Sequence, residues 1–327
     1  MELRGFHGDG NWYKGNIHCH TTVSDGHLTP SQVVALYKSN GYHFLAISDH
    51  DTYSDYGSEF NDEDFIVLPA TETASILQDQ PGCSNDVKTH HVHGILGPKA
   101  VQEQAPLPPF KHMDKLLPRF CKGSWDGAAE AQALVDTLVS HGCLAMYNHP
   151  VWSRVREQDF IDTKGIFALE IYNYGTEMES ATGYDTTHWD VMLREGRRVF
   201  GVASDDNHNT EFVADSCGGF IVVKAPELTH EAITTAMMEG NFYSSSGPEI
   251  YDWGVRDNVA YVSCSPVERV NFIAGNYVGA GATVIRENPD EIMDYALLRL
   301  RGDETYVRVE CVDNQGRTAW SNPIFLK

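Results

Sequence analysis

The stretch Asn16-Ile17-His18-Cys19-His20-Thr21-Thr22-Val23-Ser24-Asp25-Gly26 decides how the rest of the chain is read. In an extended segment successive side chains alternate sides, so His18 and His20 point the same way and can bind one metal ion. Asp25 and the turn residue Gly26 follow closely enough for the loop to curl a carboxylate back toward that ion. With 15 histidines among 327 residues, a lone His-x-His pair arises readily by chance. This pair stands out because similar His, Asp and Glu groups recur down the chain, each near the C-terminal end of an apolar run.

Those runs alternate with helices. Thr29-Pro30-Ser31-Gln32 reads as a helix start, with Thr29 as N-cap, Pro30 at the first helical position and Gln32 completing a capping box; Gly41 ends the helix. The apolar strand Phe44-Leu45-Ala46-Ile47-Ser48 runs into Asp49-His50-Asp51, and Phe65-Ile66-Val67-Leu68 leads to Thr71-Glu72-Thr73. Residues 90–96 read as another strand. Residues 98–124, with five prolines, read as irregular and as a candidate lid. A helix is expected over 128–141. Leu144-Ala145-Met146-Tyr147 then ends in Asn148-His149-Pro150, and Ile166-Phe167-Ala168-Leu169-Glu170-Ile171 ends in Tyr172-Asn173. After a helix over about 184–195, Val199-Phe200-Gly201-Val202-Ala203-Ser204 ends in Asp205-Asp206-Asn207-His208, and a further helix covers 229–238. In parallel β/α folds the loops at the C-terminal strand ends converge on one face, so these polar clusters are expected to meet.

Near Ser244-Ser245-Ser246-Gly247-Pro248 the pattern changes to alternating segments separated by turn signals, at 259–263, 269–273, 295–300 and 306–312. They read as a small antiparallel β-sandwich packed on the larger domain. The expected division is therefore a domain over 1–246 and a β-domain over 247–327.

A net charge of −22, with only 24 Lys and Arg and no basic run, argues against duplex nucleic acid as a partner. The seven cysteines lack Cys-x-x-Cys spacing, which fits free thiols in a reducing compartment. No apolar leader and no membrane-length run is present, so a soluble, cytoplasmic chain without membrane contact is expected, although removal of a signal peptide would leave the same picture. Homo-oligomer formation stays open.

Divalent Zn, Mn or Fe accepts imidazole nitrogen and carboxylate oxygen together, and a carboxylate can bridge two ions. The candidate ligands are His18, His20, Asp25, His50, Glu72, His91 or His93, His149, Asp206 and His208. That set exceeds the needs of one tetrahedral ion and suits two or three, an arrangement that clamps a phosphoryl group while activating water. No Gly-x-x-x-x-Gly-Lys-Ser/Thr loop, His-Glu-x-x-His or Gly-x-Ser-x-Gly elbow offers a rival chemistry.

His18-x-His20, Ser24-Asp25-Gly26, Ser48-Asp49-His50-Asp51, Glu72, His149-Pro150 and Asp206-x-His208, in this order, resemble the PHP (polymerase and histidinol phosphatase) metallohydrolases over about residues 12–246. The motifs Asn241-Phe242-Tyr243-Ser244-Ser245-Ser246-Gly247-Pro248 and Ala319-Trp320-Ser321-Asn322-Pro323-Ile324 are similar to the carbaryl-hydrolase-like branch, which carries a C-terminal β-domain. The resemblance implies an α/β chain with a distorted (βα)7 PHP barrel and a trinuclear centre. Carried over by position, the first ion is held by His18, His20, Glu72 and Asp206. The second is held by the bridging Glu72 with His91 and His149, His93 being the alternative to His91, and the third by Asp25, His50 and His208.

The implied activity is hydrolysis of a small phosphomonoester or phosphodiester by a metal-activated water, with Glu72 and Asp206 at the catalytic centre. Arg154, or Arg156, is the candidate for gripping phosphate, Asp49 for orienting a ligand, and Tyr172 and Asn173 for lining the pocket. The branch also admits a carbamate or carboxylic ester hydrolase, for which a wall of Trp152 and Tyr172 would speak. A non-catalytic, metal-loaded binding module is the third reading, and a complete ligand set argues against it.

Overall fold

The computed structural model describes residues 2–79, 86–286, 288 and 291–327. Its organising element is a mixed sheet whose central strands are almost wholly buried, as expected of apolar runs covered on both faces. Asn11–Asn16, Phe44–Ile47 and Ile66–Gln78 run parallel. Cys143–Tyr147, Ile166–Asn173 and Phe200–Ser204 form a second parallel set. Between the two sets lies Asp86–Leu96, antiparallel to both its neighbours.

That antiparallel strand corrects the expectation of parallel strands throughout. Ile66–Gln78 does not stop at Leu68 but continues through Glu72 for 13 residues, and Asp86–Leu96 returns along it. Glu72 is therefore a mid-strand residue paired with His93, and Ala74 is paired with His91. The alternating Thr, Ala and Ser residues after Leu68 suit a continuing β-ladder, which a reading based on apolar runs alone passes over.

Asn11–Asn16 and Phe200–Ser204 come together beyond their C-terminal ends. Asp206 N–H donates to the His18 carbonyl at 3.0 Å, and His20 N–H donates to the Asn207 carbonyl at 3.1 Å. The chain leaving Phe200–Ser204 is thus stitched to the chain leaving Asn11–Asn16, and both carry candidate ligands. Asp206 (φ 53°) and His149 (φ 24°) both hold left-handed backbone, a conformation costly for residues with a Cβ and found where tertiary contacts over-determine it.

Helices cover the sheet. Pro30–Ser39 has the expected Thr29 N-cap and capping box with Gln32, and it buries Val33, Val34 and Tyr37. Gly127–Ser140, capped by Asp126, buries Leu134, Val135 and Leu138. Thr186–Arg194 buries Trp189, Met192 and Leu193, and His230–Met238 buries Ile233 and Met237. Residues 98–124 are more ordered than their prolines suggest, containing a helix, Lys99–Gln104, and a strand, Arg119–Lys122, parallel to Ile66–Gln78.

The C-terminal strands are antiparallel and lie in two sheets. Arg269–Ala274, Gly281–Ile285, Tyr306–Val312 and Thr318–Ser321 join the large sheet through Phe242–Ser245. Ile250–Arg256, Val259–Val267 and Met293–Arg299 form a separate sheet whose edge is Glu2–Arg4. Val262, Val270, Phe272, Ala296 and Val309 pack between them in one buried cluster. Arg308, 1% exposed, ties this region to Thr186–Arg194 by donating to both oxygens of Asp190 while a third N–H reaches Glu310. The six described cysteines are free. Among the described residues, no helix is long and apolar enough to cross a membrane.

Candidate metal centre

Glu72 sits at the middle of the site and is fully buried. Its Oε1 lies 3.4 Å from His18 Nε2, 3.4 Å from His91 Nδ1 and 3.5 Å from His149 Nε2; its Oε2 lies 3.1 Å from His50 Nδ1 and 3.3 Å from His20 Nε2. Asp206 Oδ1 is 2.9 Å from His18 Nε2 and 3.0 Å from His20 Nε2. Toward the mouth, Asp25 stands 3.6 Å from His50 Nε2 and 3.5 Å from His208 Nε2. Donor atoms fall into three overlapping groups: His18, His20, Glu72 and Asp206; His50, Glu72 and His91; His20, Asp25, His50 and His208.

The local sequence explains how this convergence is reached. His18 and His20 leave a strand end on the same side, as period-two geometry requires. The loop from Thr21 to Gly26 is folded back on Asp49, whose carboxylate accepts from the Thr21 N–H and hydroxyl, both at 2.8 Å, and from the Ser24 hydroxyl at 2.8 Å. Gly26 closes the loop so tightly that a Cβ there would come within 2.5 Å of the His20 carbonyl. Asp49 thus holds the loop that presents Asp25.

Carboxylates and imidazoles in this cluster shift one another's protonation. Burial favours the neutral form of Glu72, yet the imidazoles of His91, His18 and His50 outweigh it and hold the carboxyl well below its usual range. Burial also works against charge on His50, but the carboxylates of Glu72 and Asp25 push its pKa up to about 9. His208 is likewise pushed up to about 9, against its burial, by the Asp25 and Asp206 carboxylates. Glu72 Oε2 and His20 Nδ1 are buried and, despite near neighbours, neither receives nor makes a hydrogen bond among the described residues. Within each group the nitrogens and carboxylate oxygens all lie within 4.8 Å of one another. Such a donor set fits divalent metal ions.

A residue absent from the sequence-level candidates supports the centre from behind. Glu170, fully buried, accepts from His18 Nδ1 at 2.8 Å, the His149 backbone N–H at 3.0 Å, Asn173 Nδ2 at 2.9 Å and the Ser204 hydroxyl at 2.5 Å. The only sequence signal was a glutamate in the apolar run Phe167-Ala168-Leu169-Glu170-Ile171, a place where an unpaired carboxylate would be costly. Asn148 plays a similar part, donating to Glu72 Oε1 at 2.5 Å and contacting His93 Nδ1 at 2.5 Å. His93 is fully buried and edge-on to His18, whereas His91 opens onto the cavity.

Over the centre lies a cavity of about 340 Å³, with Asp25, His50, His91, His149, Asp206 and His208 at its floor. Its walls include Trp152, Thr176, Glu179, Thr210, Val213 and Asp215. Three expectations about the pocket are corrected. Tyr172 and Asn173 lie behind the site, the first stacked on Trp320 at 5.5 Å between ring centroids, the second donating to Glu170 and Asp206. Arg154 and Arg156 are exposed and line none of the cavity. Residues 98–124 do not reach it either, so they form no wall of the pocket.

A buried carboxylate surrounded by imidazoles, beneath a cavity of ligand size, makes a candidate metal-binding site. No family model and no curated protein matches the chain. Among solved structures it is similar to a two-domain protein containing a predicted PHP-like metal-dependent phosphoesterase from Bacteroides vulgatus, at 11% identity, covering 98% of this chain and 97% of that one, with a TM-score of 0.45. It is also similar to an amidohydrolase from Chromobacterium violaceum with bound sulfate and no metal, at 14% identity over 70% of this chain and 96% of that one, with a TM-score of 0.39.

Proposed function

We propose that this chain is a metal-dependent phosphoesterase built on a distorted (βα)7 barrel of the PHP type. The observation that carries the reading is the set of three donor groups sharing Glu72, His20 and His50 at the base of one cavity. His18, His20, Glu72 and Asp206 would hold one divalent ion, Glu72, His91 and His149 a second, and Asp25, His50 and His208 a third. When bound, such ions supply Lewis acidity toward the ester and a water acidic enough to react near neutral pH.

The protein's own groups then do the positioning. Glu170 keeps the Nδ1 proton of His18 engaged and leaves Nε2 facing the centre, the usual division of labour between the two nitrogens of a ligating imidazole. Asn173 donates to Asp206 Oδ2 at 3.0 Å, which fixes the rotation of that carboxylate and frees Oδ1 for the centre. Asp49 sets the reach of Asp25.

Hydrolysis of p-nitrophenyl phosphate, bis-p-nitrophenyl phosphate and p-nitrophenyl acetate after loading with Mn, Zn or Fe tests the reading. Metal-dependent turnover of a phosphoester is expected. Turnover of the acetate alone would favour the carbamate or carboxylic ester reading, which draws support from a cavity lining without lysine or arginine among the described residues.

A further inference from the structure

The cavity wall is chemically unlike its floor. The floor is made of the candidate ligands, whereas the wall above it offers, among the described residues, one aromatic face, Trp152, two carboxylates outside the ligand set, Glu179 and Asp215, and no lysine or arginine. A terminal phosphate near neutral pH carries close to two negative charges and is usually gripped by guanidinium or ammonium groups. This wall opposes such a group. It instead suits a positive one.

Trp152 is placed to receive it. Its ring centroid lies 5.1 Å from that of His149 and 6.0 Å from that of His91, so the indole borders the reacting centre. Its Nε1 donates to Glu179 Oε2 at 2.8 Å, which fixes the ring and keeps a carboxylate beside it. On another part of the wall the buried Asp215, also lining the cavity, accepts from the backbone N–H groups of His208, at 2.7 Å, and Asn209, which hold a second carboxylate in place. An aromatic face with carboxylates nearby is a seat for an organic cation. The cavity, about 340 Å³, has room for a head group and one phosphoryl.

We propose, building on the phosphoesterase reading above, that the substrate is a phosphodiester whose arm remote from the scissile bond ends in an alkylammonium head seated against Trp152 and flanked by Glu179 and Asp215. A diester leaves one negative charge on phosphorus for the floor and carries its positive charge to the wall. In the reaction water adds to phosphorus and the bond from phosphorus to the leaving oxygen breaks. The leaving oxygen takes up a proton from that water, and the second product is an ammonium-bearing phosphomonoester.

The test compares p-nitrophenyl phosphorylcholine with its uncharged isostere, p-nitrophenyl 3,3-dimethylbutyl phosphate, on metal-loaded protein. Leaving group and shape are the same, so the ratio of kcat/KM reads the cation alone. The wild type should prefer the choline ester by about tenfold, the scale of a partly desolvated cation on an aromatic ring. Glu179→Gln keeps an acceptor for Trp152 Nε1 but removes the charge, and Trp152→Leu removes the face; both should pull the ratio toward unity. A ratio of one in the wild type, or a ratio moved by neither variant, overturns the proposal, while turnover itself leaves the phosphoesterase reading standing. Absence of turnover for these diesters and for the mono- and bis-p-nitrophenyl phosphates at full metal loading overturns that reading and the proposal with it.

Discussion

Glu170 Oε1 accepts from His18 Nδ1 at 2.8 Å in an interior with no access to water, and this contact fixes which nitrogen of His18 faces the centre. Replacing Glu170 by Gln retains an acceptor but removes the charge that raises the basicity of the imidazole. Metal affinity should fall about tenfold or more, the usual cost of losing a partner of a ligating histidine. Competition against a fluorescent chelator measures it, and unchanged affinity would show that the contact is merely structural.

His91 and His93 are two apart on one strand, and the structure gives them different surroundings. His91 lies 3.4 Å from Glu72 and opens to the cavity; His93 is fully buried against Asn148 and His18. His91→Ala should lower bound metal, measured by elemental analysis, whereas His93→Asn should leave the metal count unchanged. The reverse pattern would transfer the ligand role to His93.

The candidate ligands were largely legible in the sequence because each follows or lies on an apolar run that can be recognised without knowing its partners. His18, His50, His149 and Asp206 stand just beyond strands that read correctly from composition. Glu72 was legible as a candidate but not as a mid-strand residue, because the hairpin linking Ile66–Gln78 to Asp86–Leu96 has no apolar run to announce its first arm beyond Leu68. Glu170, Asn148 and Asn173 were harder still. Their roles depend on hydrogen bonds to residues distant in sequence, and a polar residue at a strand end or within a strand gives no sign of what it will meet.

Arg308 illustrates the same limit. Its sequence setting is an alternating strand, Tyr306-Val307-Arg308-Val309, which does not reveal that the guanidinium is buried against Asp190 and Glu310. Arg308→Met should destabilise the protein by about 3 kcal/mol, since it strands two carboxylates in a mostly dry setting. Denaturant melts check the loss, and metal content of the folded fraction should be unaffected.

Removal of bound metal should lower the melting temperature, because ions that bind only the folded chain stabilise it by mass action, by about 2.7 kcal/mol for one ion at a hundredfold excess over its Kd. Readdition of Mn, Zn or Fe after chelation should restore the transition. A melting temperature indifferent to chelator would contradict binding at the buried cluster.

Glu72 is the carboxylate shared by two of the donor groups, so the most direct test pairs elemental analysis with ester hydrolysis on the wild type and on Glu72→Ala, with circular dichroism as a check on folding. The wild type should carry two or three ions per chain and turn over a phosphoester, and the folded variant should lose both bound metal and activity. Full activity in a metal-depleted Glu72→Ala protein, or a wild type that takes up no metal on careful loading, would contradict the metal centre itself.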